Sequence, residues 1–122
     1  YTHFSYNDLE CVVDHTTSDS AVVITMMLIN EGDVPGAEVV QLYVADCEAG
    51  SDRPDQNLRA FIKVPLVAGA SQTLRFTLSH DDFAYFCPRA NSWRVRGGNY
   101  ELRLGSSSRD IRLRRTVSIT EQ

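Results

Sequence analysis

The chain has 122 residues, 43% apolar, with 12 basic and 16 acidic groups and a net charge of −4. That length suits one domain that can build a core without metals or disulfides. No apolar run approaches the roughly 20 residues of a membrane helix, and the acidic balance argues against non-specific nucleic-acid binding. A start at Tyr1 without Met reads as a mature, proteolysed or engineered piece.

The charge is uneven. Residues 1–58 carry 11 acids and only Arg53 as a base, while residues 59–122 carry 11 bases and 5 acids. Two readings stand: acidic strands lie beside basic ones and neutralise each other, or a basic face meets an acidic partner. Eleven of the twelve bases are Arg, whose planar bidentate contacts suit interfaces. Cys11, Cys47 and Cys87 match no zinc or redox spacing, which leaves room for one disulfide at most.

Strand signals recur along the chain. "FSYNDLECVV" (Phe4–Val13) alternates imperfectly, with Phe4, Tyr6 and Leu9 apolar. "AVVITMMLIN" (Ala21–Asn30) is a β-branched apolar run of strand length. The breakers Asn30-Glu31-Gly32-Asp33 and Pro35-Gly36 follow it, then "AEVVQLYVA" (Ala37–Ala45). There Val40, Leu42 and Val44 share one face, and Val39, Gln41 and Tyr43 the other. The unit reads as two antiparallel strands joined by a bulged bend. After the polar stretch Asp46–Asn57 come "LRAFIKVPLV", the turn "AGAS" and the cleanly alternating "QTLRFTL". "SHDDFAYF" (Ser79–Phe86) reads as one helical turn capped by Ser79, with acids in its first turn. "SWRVR", "GGN", "YELRLG" and "IRLRRTVSI" complete the pattern.

About seven short strands with little helix predict an all-β, immunoglobulin-like antiparallel sandwich occupying residues 1–122, its core within about 4–119. The connections are too short for parallel crossovers. Trp93 and the other aromatics are expected in the core, and Tyr100, after Gly97-Gly98-Asn99, is a candidate tyrosine corner.

Chemistry is harder to find. Asp81-Asp82 suits helix capping better than a catalytic pair, because adjacent residues do not face each other. His3, His15 and His80 lack partners at metal-binding spacing. No nucleophile elbow, phosphate loop or dinucleotide fingerprint is present. Asp46, Glu48, Asp52 and Asp55 share a loop, but the spacing is not that of a calcium loop and Arg53 sits among the acids. It reads as a solvated or docking loop.

Taken together, "NEGDVPGAEVVQLYVAD", "RPDQNLRAFIKVPLVAGASQTLRFTLS" and "GGNYELRLGSSSRDIRL" resemble the C-terminal fibronectin type III-like domain of glycoside hydrolase family 3, the β-glucosidase family. That family pattern has N-x-G-x-x-x-G before E-V-V-Q-L-Y-V, and R-P before L-x-x-F-x-K-V-x-L-x-x-G. W-x-V, G-x-Y-E and G-x-S-S segments follow. The likeness runs from Tyr1 to about Leu113. Departures are Gly69-Ala70-Ser71 where G-E-S is usual, and Ala60-Phe61 where G-F is usual.

The resemblance implies a parent enzyme that hydrolyses terminal non-reducing β-linked sugars, such as β-D-glucosyl residues, with retention. Its nucleophilic Asp and acid/base Glu would lie on upstream catalytic domains. No residue here matches either role, so catalytic, cofactor-binding and metal-binding residues are expected to be absent. The expected partner is the catalytic domains of the same polypeptide, contacted through Asp46, Asp52, Arg53, Pro54, Asp55 and Leu58. The alternatives are a carbohydrate-binding module, with Tyr85, Phe86 and Trp93 as a stacking platform, and a free-standing protein-interaction sandwich. Compartment follows the parent, cytoplasmic or secreted.

Overall fold

The computed structural model describes residues 3–13, 22–47, 56–87, 89–95 and 97–119, with the side chains of 85–87 left aside. Nine strands are described: β1 (Phe4–Val13), β2 (Val22–Asn30), β3 (Gly36–Asp46), β4 (Asn57–Leu66), β5 (Ser71–Leu78), β6 (Ala84–Cys87), β7 (Ser92–Val95), β8 (Gly98–Ser107) and β9 (Asp110–Ile119). Seven of them make a sandwich of two antiparallel sheets, ordered β1-β2-β5 and β4-β3-β8-β9. β6 and β7 form a separate two-stranded ribbon. The all-β sandwich expected from the periodicity is therefore present, with the ribbon added between β5 and β8.

Alternation builds the core. Val22, Ile24, Met26, Leu28 and Asn30 of β2 point inward, alongside Leu74, Phe76 and Leu78 of β5. Val40, Leu42 and Val44 of β3, Tyr100, Leu102 and Leu104 of β8, and Val117 and Ile119 of β9 meet them from the other sheet. Burying each large aliphatic side chain contributes about 1.5–3 kcal/mol before chain entropy is counted.

The irregular pattern of β1 has a local cause. Asp8 adopts φ 55°, and the β1–β2 register shifts between Asn7 and Glu10. A bulge adds one residue and inverts the parity of the strand. Before it the even residues Phe4 and Tyr6 face the core; after it Leu9, Cys11 and Val13 do. Asp tolerates the left-handed conformation better than most residues.

The bend after Asn30 corrects one expectation. β2 and β3 are not a hairpin: β2 pairs with β1 and β5, and β3 with β4 and β8. Each strand carries a full apolar face, so the chain crosses between sheets and sets those faces against each other. Asn30 anchors the crossing from inside the core, with no solvent exposure (0%). Its Nδ2 donates to the carbonyls of Val34 and Leu66, both at 3.0 Å, and its Oδ1 accepts from the N–H of Gly32 at 2.9 Å. Its backbone N–H donates to the Ala70 carbonyl at 2.9 Å, and its carbonyl accepts from Gly69 at 2.8 Å. Gly69, at φ 78°, sits in the turn closed by Ala70 N–H on the Val67 carbonyl, at the position where a type II turn demands positive φ.

The helical turn expected over Ser79–Phe86 is a 3-10 turn, His80–Phe83, after which the chain enters β6. Phe83 anchors it in the core, edge-on to Tyr100 with ring centroids 5.1 Å apart. A second correction concerns Trp93, which is 68% exposed rather than part of the core. It lies on the ribbon, outside the two packed sheets.

Candidate functional site: an interdomain surface

The expected contact loop is described only at its ends. Asp46 closes β3 opposite Tyr100, and Cys47 N–H donates to the Asn99 carbonyl at 3.2 Å. Asp52, Arg53, Pro54 and Asp55 lie outside the described residues. At the far end Gln56 is tied to its own sheet. Its Nε2 donates to the Ser108 carbonyl at 3.1 Å, and its Oε1 accepts from Arg103 Nη1 at 2.8 Å. Leu58, the last residue of the expected set, is 47% exposed at the start of β4.

β4 is an edge strand of the four-stranded sheet. Its inward residues Val64 and Leu66 are buried, whereas Phe61, on the opposite face, is 65% exposed and Lys63 is exposed beside it. The pairing slips between Leu42 and Tyr43, where Leu42 opposes Ala60 and Tyr43 opposes Leu58, so Arg59 is the extra residue of a bulge. Its Nη2 donates to the Ala84 carbonyl of the ribbon at 3.4 Å, and its Nε is buried without a partner. Among the described residues neither Arg59 nor Lys63 has an ion-pair partner.

The opposite edge differs. Arg112 of β9 grips Asp110 with two bonds, 2.9 and 3.1 Å, and donates to the Phe4 carbonyl of β1 at 3.0 Å. Its guanidinium lies 5.3 Å from the centroid of the Tyr6 ring, and the Tyr6 hydroxyl donates to Glu38 of β3 at 3.0 Å. Arg115 donates to the Leu9 carbonyl at 3.1 Å. On the outer face Glu101 receives Arg103 at 2.6 Å and Arg114 at 3.2 Å. The basic half of the chain is thus partly neutralised by its own acids and partly spent on backbone carbonyls of the acidic half.

These contacts fix the chemistry. Hydrogen bonding from Arg103, with Arg114 adding to it, holds the Glu101 carboxyl below its ordinary range; Arg112 and then Ser106 do the same for Asp110. Both are firm carboxylates at neutral pH, the reverse of what a general acid requires. Burial, reinforced by Glu38, pushes the Tyr6 hydroxyl far up, so it remains a donor. Burial also raises the half-buried Cys11 thiol, which lowers its nucleophilic fraction. Asp82 is occupied as a cap, accepting from Ser79 N–H at 2.8 Å and Ser79 Oγ at 3.4 Å. Among the described residues no three His, Cys, Asp or Glu side chains converge as metal ligands would.

A shallow cleft of roughly 350 Å3 lies by the ribbon, lined by Asp81, Ala84, Ser92, Trp93, Arg94 and Val95. Of the suggested stacking platform only Trp93 is described there; the side chains of Tyr85 and Phe86 lie outside the described set.

Three strands packed on four define a fibronectin type III-like sandwich. The chain belongs to the fibronectin type III-like domain family, whose model matches residues 38–108. It is 35% identical over 119 residues to the thermostable beta-glucosidase B of Acetivibrio thermocellus, covering 98% of this chain and 16% of that protein. An exo-alpha-(1->6)-L-arabinopyranosidase of Bifidobacterium breve is 38% identical over 84% of this chain and 14% of its own length. The crystal structure of the GH3 beta-glucosidase of Bifidobacterium adolescentis superposes with a TM-score of 0.90 at 34% identity, covering all of this chain and 18% of that one. The chain therefore spans under a fifth of the length of each of these relatives.

In the sequence Asn30 reads only as a turn former, whereas in the structure it is a fully buried anchor. The signal was present: a polar residue in the inward register of an apolar strand, two residues before a glycine.

Proposed function

We propose that this chain is a non-catalytic accessory domain of a longer glycoside hydrolase, packed against catalytic domains of the same polypeptide and stabilising them. The carrying observation is that a unit so similar makes up 16–18% of multi-domain β-glucosidases, while its own described carboxylates with resolved shifts are held ionised by arginine. Retaining hydrolysis needs one carboxyl to act as an acid about 5 Å from a second, nucleophilic one. The same unit accompanies proteins named for glucosides and for arabinopyranosides, so sugar choice belongs to the remainder of the polypeptide. The parent activity we favour is release of terminal non-reducing β-D-glucosyl residues.

The test is to produce the full polypeptide with and without residues 3–119, alongside the 122-residue chain alone. The full polypeptide should hydrolyse an aryl β-glucoside, and removing the domain should shorten its half-life at elevated temperature several-fold. Hydrolysis by the short chain, or an unchanged half-life without it, overturns the proposal.

A further inference from the structure

We infer that the outward stripe of β4, centred on Phe61 with Leu58, Arg59 and Lys63, is the surface on which the catalytic domains seat. The complementary patch on those domains would be an apolar socket edged with carboxylates. This rests on the reading that the unit packs against the rest of its own polypeptide.

Phe61 and Leu58 oppose Gln41 and Tyr43, which share the outer face of β3, so the two exposed side chains are neighbours on one surface. Isolated exposed apolar residues are ordinary, but a Phe and a Leu side by side on the open edge of a sheet are a partner-shaped feature. The charges agree. Arg103, Arg112 and Arg114 are neutralised within the β8–β9 hairpin by Glu101 and Asp110. Arg59 and Lys63 have no acid among the described residues, and the buried Nε of Arg59 has no hydrogen-bond partner among them. An aromatic anchor flanked by an Arg and a Lys suits an interface core with an acidic rim opposite.

The experiment uses the full polypeptide carrying F61D together with K63E, with V12D as control. Val12 is 64% exposed on β1, in the other sheet. Limited proteolysis reads how often the domain separates from the rest, and sedimentation reads oligomeric state. F61D/K63E should be cut between the domains at least about tenfold faster than wild type, with V12D unchanged. K63E alone, which leaves the apolar pattern intact, should give a smaller acceleration, and raising the salt should speed cleavage of wild type towards it. Equal cleavage of F61D/K63E and wild type, where removal of the whole domain still destabilises the remainder, overturns this surface and leaves the accessory reading standing. If removal has no effect, the accessory reading falls and this inference with it. A dimer that dissociates in F61D/K63E, without a change in cleavage, assigns the stripe to a second copy and also overturns the inference.

Discussion

The sandwich closes its two long sides by different means. On the β4–β5 side the closure is buried and neutral: Asn30, shut from solvent, ties the bend after β2 to the end of β4 and the turn into β5. On the β1–β9 side it lies at the surface and is made by charged donors: Arg112 and Arg115 reach from β9 to carbonyls of β1. A buried amide with every polar atom satisfied acts where water cannot compete, and losing one partner leaves an orphan group. A surface guanidinium acts where water and salt can replace it. One side should therefore be the mechanically decisive closure and the other an adjustable one.

The sharpest way to break this contrast is Asn30→Asp, which keeps the shape but turns a two-bond donor into an acceptor facing two carbonyls. Burying an uncompensated charge there should cost about 3–5 kcal/mol in denaturant unfolding at neutral pH. Acid should restore part of the loss, because protonation removes the charge. A loss under about 1 kcal/mol, no more than an ordinary exposed site gives, would place the closure elsewhere. Arg112→Ala tests the other side and should cost about 1 kcal/mol, since its carboxylate partner and the Phe4 carbonyl can turn to water. That loss should shrink in high salt, whereas the Asn30 loss should not.

The smallest effect is a pH dependence. Asp110 is held below its ordinary pKa, so its contribution is complete above the unfolded-chain value of roughly 4 and drains as pH falls through the lower folded value. Melting temperature should fall in that acid window, and Asp110→Asn should flatten the fall. A wild-type profile level down to pH 2 contradicts it.

The strands were legible because their signal is local. Val40, Leu42 and Val44, or Leu74, Phe76 and Leu78, show inward faces within a few residues. The imperfect alternation of Phe4–Val13 was visible too, although its cause, the bulge at Asp8, was not. Partner choice was not legible, because it is non-local. Nothing within Ala21–Ala45 says that the two strands join different sheets rather than each other; that depends on β5 and β8, tens of residues away. Trp93 misled for another reason. Its size argues for burial, but it lies on the β6–β7 ribbon outside the two packed sheets and is 68% exposed. Leu58, at the start of a strand after a polar loop, is exposed as that position suggests, whereas Phe61, expected in the core with the other aromatics, is exposed too.

The crossing at Asn30 also sets the order in which the molecule can assemble. β2 waits for β5 and β3 waits for β8, so neither sheet is complete until most of the chain has emerged from synthesis. Pairs of consecutive strands, β1 with β2, β3 with β4, β6 with β7 and β8 with β9, can zip without that delay. Such long-range closure makes for slow maturation, during which the greasy face of β2 stands uncovered and vulnerable to clumping.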